Sequence, residues 1–196
     1  MKRRMLAASL VAIVALGTMP KRAAPQAFEI DPEHFSVGFG VFHAGYEKLL
    51  GMFLEGEGSF TWDAETGTLS DVRVTIAADS VFTNHERRDR HVRGSDFLNA
   101  GEFPDIVFVG KRAERTGENT GLVHGELTML GVSRPVTVAV TLNKAAVYPF
   151  GHRKFTLGIS AKATLKRSDF GMTYALDGDL VGDTVDLSFE FEALPR

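Results

Sequence analysis

Ser80–Phe108 reads SVFTNHERRDRHVRGSDFLNAGEFPDIVF, and it sets a charged, helix-capable insert between two runs that otherwise look like β-strand. From Asn84 to Arg93 almost every residue is polar or basic, whereas the rest of the chain alternates apolar and polar positions. An all-β protein that keeps one such insert uses it to close the end of a barrel or to guard an entrance. The flanking chain therefore decides the fold, and its dominant signal has period 2.

Residues 35–43 (FSVGFGVFH) put Phe35, Val37, Phe39, Val41 and His43 on one face. Residues 51–62 form a longer strand in which Gly56 and Gly58 permit a bend or bulge, and residues 68–78 alternate with one irregularity near Asp71. Further strands are expected at 105–113, 120–130, 134–147, 154–166 and 183–193. Turn chemistry separates them at Ala64–Gly67, Thr116–Asn119, Gly131–Pro135 and Asp177-Gly178. Eight such strands demand a sandwich or a closed barrel; the long, Gly-bent strands favour the barrel, which removes open edges and encloses packed side chains or one small ligand.

The amino terminus reads as a secretory signal. Lys2, Arg3 and Arg4 precede the apolar run Leu6–Leu16, which is short of the roughly 20 residues of a membrane span. Cleavage is expected near Ala24 or Ala27, leaving a single domain over residues 28–196. All five charges before Phe28 are positive, so their loss takes the formal balance from −3 to −8. A surface that acidic disfavours broad contact with nucleic acid. The chain has no Cys, which excludes disulfides, thiol nucleophiles and thiolate metal sites. Charges within strands, among them Glu55, Glu57, Arg73 and Lys111, conflict with the apolar outer band of a membrane-spanning barrel.

Within the insert, Thr83 or Asn84 is the expected N-cap, with Glu86 complementing the helix dipole. Arg88, His91 and Arg93 can meet a polar head group at the barrel mouth, or Arg88 and Asp89 can pair and pin the helix across the barrel end. Phe97 and Phe103 either pack in the core or touch a ligand. His43 needs a polar partner inside the lumen, with Tyr46 a candidate. In Arg167–Gly171, Asp169 is expected to cap a backbone turn and Gly171 to take positive φ, as a barrel corner. No His, Asp and Glu spacing suits a metal, and no Gly-x-Ser-x-Gly elbow or phosphate loop occurs.

Together Ile30-Asp31-Pro32 with His34, Thr83-Asn84-His85 with Arg88-Asp89, Asp96-Phe97-Leu98, Phe103-Pro104, Gly125-Glu126-Leu127-Thr128 and Lys166–Gly171 form an ordered set. On these residues the chain resembles the YceI-like family of periplasmic, lipocalin-like barrels that bind polyisoprenoid lipids. The resemblance implies an eight-stranded antiparallel barrel with a short helical insert near 84–99. It also implies a periplasmic protein that binds, carries or stores a long isoprenoid lipid, a polyprenyl chain or isoprenoid quinone, with no cofactor and no catalytic residues. Val37, Phe39, Val41, His43, Tyr46, Phe53, Arg88, His91, Phe97, Phe103 and Phe108 are the expected residues of lumen and mouth. The alternative is an enzyme acting on such a lipid through His43, Arg88 or His91. Pairing into a homodimer is left open.

Overall fold

The computed structural model describes residues 24–196, and most of the expected signal segment lies outside the described residues. Ten strands and one α-helix follow in order: β1 (Gln26–His43), β2 (Glu47–Phe53), β3 (Gly56–Asp63), β4 (Thr68–Ala77), β5 (Val81–Phe82), α1 (Glu86–Arg93), β6 (Asp105–Arg115), β7 (Thr120–Met129), β8 (Val132–Val147), β9 (Phe155–Lys166) and β10 (Val181–Pro195). All pairings are antiparallel, and β1 joins β10 to shut the sheet into a barrel. The ten strands make eight staves. The first half of β1 pairs with β3 and its second half with β2, so β2 and β3 are one stave broken at Leu54–Glu55. Likewise β4 and β5 are one stave interrupted by the turn Ala78–Ser80.

The two interruptions hold each other. Leu54 N–H donates to the Ser80 carbonyl (3.2 Å) and hydroxyl oxygen (3.1 Å), and Ala77 N–H donates to the Glu55 carbonyl (3.1 Å). The bend therefore falls before Gly56 rather than at Gly56 or Gly58. Those two glycines serve packing: a Cβ at Gly56 would stand 2.4 Å from the Phe35 ring. The same arrangement recurs where a Cβ at Gly51 would stand 2.2 Å from the ring of Phe39, its cross-strand partner. Inward rings are seated over bare backbone on the next strand. The irregularity near Asp71 is a β-bulge, with Asp71 at φ 53° and one extra residue between Ser70 and Arg73 opposite Ser59–Thr61. Gly131 and Leu130 both take positive φ and make a two-residue hairpin, so β8 starts at Val132 and Pro135 lies within the strand.

One end of the barrel is filled by aromatic rings. Phe28 stacks on Phe60 at 5.7 Å between centroids, and Trp62 stacks on Phe155 at 6.2 Å. Phe191 joins them edge-on to Phe60. Burial of rings at this end anchors the closure of β1 on β10, because Phe28 and Ala193 are both fully buried.

The other end carries α1. Its N-cap is His85, whose ring nitrogen accepts from Arg88 N–H (3.2 Å), in place of the expected Thr83 or Asn84. Asn84 instead takes φ 60°. Thr83 is buried and works as a hub. Its N–H and hydroxyl donate to Asp89 Oδ1 at 2.7 and 2.5 Å, while Arg88 donates to its hydroxyl and carbonyl oxygens at 2.8 and 2.7 Å. Arg88 and Asp89 thus meet through Thr83 rather than as a direct pair. Arg93 ties the helix to the barrel by donating to the carbonyls of Asp79 and Val81.

Candidate functional site

Between the aromatic end and α1 lies a cavity of about 480 Å³, a volume in the range of small-molecule sites. Its walls follow from strand alternation. Val136, Val138 and Val140 of β8 face inward, as do Ile159, Ala161, Ala163 and Leu165 of β9. The polar side chains in the lining are His43, Arg88, His91, Arg167 and Tyr174. No carboxylate, Ser, Thr, Cys or Lys side chain contributes to it among the described residues.

The cavity brings together Val37, Phe39, Val41, His43, Phe53, Arg88, His91, Phe97 and Phe108 from the expected set. Two expected residues lie elsewhere. Tyr46 is 92% exposed and outside the cavity, because Ala44 and Gly45 both take positive φ and the hairpin swings its ring away. Its contact with His43 is a backbone hydrogen bond, Tyr46 N–H to the His43 carbonyl at 3.0 Å. Phe103 packs over the hairpin at Gly131 instead of in the lumen. Phe42, between the inward Val41 and His43, is half exposed and also borders the cavity. The β1–β10 ladder slips beside it, where three residues of β10, Gly182 to Thr184, stand opposite Phe42 alone, while β1 keeps its register with β2.

Three rings gather at the helical end. His91, Phe97 and Tyr174 stand 5.1–5.3 Å apart, each edge-on to the others. His91 Nε2 lies 2.9 Å from Asp96 Oδ2. Beneath Phe97 sits Arg167, 2% exposed, with its guanidinium 5.9 Å from the ring centroid. It donates to three carbonyls: Gly182 (2.9 Å), Met172 (2.8 Å) and Val181 (2.6 Å). Burial pushes the Arg167 pKa down, with Asp183 nearby opposing it, yet a guanidinium keeps its charge in proteins. The adjoining turn is capped by Asp183, which accepts from Ser168 N–H and Oγ–H at 2.9 Å each, and not by Asp169. Gly171 takes φ 82° as expected. Arg167 was legible only as part of a corner, since nothing local shows which carbonyls fold over it.

A cluster of titratable groups lies outside the cavity, at the irregular stretch of β1 between Ile30 and Phe35. Asp31, His34 and Glu192 place three potential ligand atoms within 4.8 Å of one another. His34 Nδ1 is already 2.8 Å from Asp31 Oδ2 and 3.8 Å from Glu192 Oε2, the geometry of an ion-pair clip. The Asp31 contact is the main cause raising the His34 pKa above its ordinary 6.5, with burial opposing and Glu192 assisting. A raised folded value stabilises the protonated native state. The contribution is full below about pH 6.5 and fades as pH rises through the folded value. We expect the melting temperature of wild type minus that of His34→Gln to shrink between pH 6 and about pH 8. His34 is half exposed, so the difference is worth well under 1 kcal/mol. A difference that stays level across this range would remove the clip from the stability account.

The fold and its interior define a class: a closed, lipocalin-like antiparallel barrel around an apolar chamber. Within that class, residues 28–193 match the YceI-like domain, and the chain belongs to that family. It is 31% identical over 196 residues to a UPF0312 protein of Pseudomonas savastanoi pv. phaseolicola, with both chains covered in full. Among solved structures it is similar to Burkholderia cenocepacia BcnA, with a TM-score of 0.73 and 22% identity over 83% of this chain and 98% of that one. It is also similar to a polyisoprenoid binding domain from Saccharophagus degradans, with a TM-score of 0.65 and 13% identity over 87% and 99% of the two chains. At these identities the two structures bear on the fold alone.

Proposed function

We propose that this protein binds a long isoprenoid lipid inside the barrel and carries or stores it outside the cytoplasm. The observation that carries the reading is the chamber itself, walled almost wholly by aliphatic and aromatic side chains with a few polar groups gathered toward one end. A branched hydrocarbon tail gains about 0.8 kcal/mol per methylene removed from water, so such a chamber holds a tail with few polar contacts. Membership of the YceI-like family supports this reading, and a neighbour of the same fold is named as a polyisoprenoid binding domain, which makes that ligand class the one to test. His43 and His91 then face the ligand's polar end. Arg88 contributes charge, although its donors are engaged by Thr83.

Export rests on the basic and apolar residues that precede Ala24. Because Gln26 and Ala27 are paired with Trp62 and Thr61, processing near Ala24 leaves β1 whole, whereas processing after Ala27 strips its first two rungs. The enzymatic alternative draws no support from the lining. His91 has a carboxylate neighbour in Asp96 and stands edge-on to Tyr174, and among the described residues no Ser, Thr, Cys or carboxylate side chain joins them in the chamber wall.

The test is organic extraction of the full chain purified from its exported fraction, followed by mass spectrometry. A stoichiometric prenyl lipid is the expected result. Protein recovered without lipid and unable to take up a polyprenol would overturn the reading.

A further inference from the structure

A second cavity, of about 290 Å³, lies toward the β3–β4 and β6–β7 turns. Four residues touch both cavities: Leu69 of β4, Val123 of β7, Val140 of β8 and Ile159 of β9. They come from four strands and face inward. Side chains that line two voids stand between them. Beyond them the second cavity has an apolar side at Trp62 and Leu142 and a polar side at the turn residues Glu114, Arg115, Glu118 and Asn119. We infer that these four side chains are a partition that sets how much hydrocarbon the barrel accepts. The inference rests on the lipid-binding role proposed above and adds the determinant of tail length.

The physics is that of a blind tunnel. A tail that fits within the first chamber is fully covered, and extra units on a longer tail stay at the mouth in water and add no affinity. Val123 and Ile159 are buried at 3% and 4% exposure and tie the wall to the core. Leu69 and Val140 are only partly buried, so they are the members that can be cut back with the least cost to folding. Shortening them opens a path from the apolar chamber toward the apolar side of the second cavity, at Trp62 and Leu142.

Trp62 makes this directly measurable. It is the only Trp in the chain and it lines the far chamber alone. The experiment uses geranylgeraniol as the short prenol and solanesol brominated on its terminal unit as the long one. Bromine quenches indole emission on contact. Wild type should bind both prenols with similar affinity and keep its Trp62 emission. Leu69→Ala/Val140→Ala should bind the long prenol at least tenfold more tightly, the worth of about two methylenes newly covered. It should also lose Trp62 emission on binding, with short-prenol affinity unchanged. Val140→Phe, which thickens the wall, should show no quenching and guards against a folding artefact in the double variant. Quenching in wild type, or a folded double variant with unaltered length preference, would overturn the partition. Wild type that binds neither prenol withdraws the binding role itself, a separately visible result.

Discussion

Arg167→Met should lower the melting temperature by roughly 8–16 °C, about 4 kcal/mol at the 2–4 °C per kcal/mol expected for a chain of this size. The side chain is almost wholly buried and its guanidinium satisfies the carbonyls of Met172, Val181 and Gly182. Methionine fills much of the same volume but donates nothing. Each buried acceptor left without a donor costs about 1–3 kcal/mol, and three are orphaned together. These carbonyls belong to the segment that leads from the β9 corner into β10, so the loss strikes where the last stave is held. Arg167→Lys should recover only part of it, because a single ammonium lacks the planar fork that reaches three acceptors. Thermal unfolding followed by circular dichroism reads the difference. A methionine variant melting within a degree or two of wild type would show that this guanidinium does not hold the loop.

Ala163→Trp should abolish lipid binding while the barrel still folds. Ala163 is 8% exposed, faces the chamber, and pairs with Leu187 across the β9–β10 ladder. An indole at this place occupies space that a tail would otherwise fill. Denying wall contact to about four methylenes costs roughly 3 kcal/mol, more than a hundredfold in affinity. The ring enters a void and not a close-packed core, so the usual penalty for overpacking is largely avoided. Lys162→Trp is the matching control: it adds the same ring on the same strand at an exposed position, and its binding should equal wild type. Titration with a polyprenol, together with a melting curve for each variant, separates occlusion from misfolding. Undiminished binding by a folded Ala163→Trp would move the ligand out of this chamber.

The eight staves were readable because an inward face must be apolar at every second residue, and the run Val37, Phe39, Val41 carries that rule openly. What stayed hidden depends on partners far along the chain. The break at Leu54–Glu55 is stitched to Ser80, and no pattern within residues 51–62 announces it. Arg167 is readable only as part of a barrel corner, because its three acceptors arrive from residues 172–182. Asp183 rather than Asp169 caps that corner for the same reason. Tyr46 and Phe103 were placed in the lumen by their closeness in sequence to His43 and Phe97. Local backbone geometry at Ala44-Gly45 and packing over Gly131 decided otherwise. His85 displaced two commoner capping residues because Thr83 is engaged as a buried hub and Asn84 has turned to positive φ. Most of the chamber wall was therefore foreseeable from alternation, and the fastenings at its helical end were not.

The barrel shuts by zipping its first strand against its last, with Phe28 opposite Pro195 and the Arg196 N–H donating to the Ala27 carbonyl at 3.0 Å. No chamber exists until β10 has been made and has closed on β1, because the seam needs both strands. Contacts at such sequence separation form late and slowly, so closure of the seam comes last in building the chamber. On the lipid-binding reading, the tail is therefore taken up by an assembled barrel. Removing the pairing of residues 193–195 would free Phe28–Ile30 and open that end of the seam, an edge inviting aggregation.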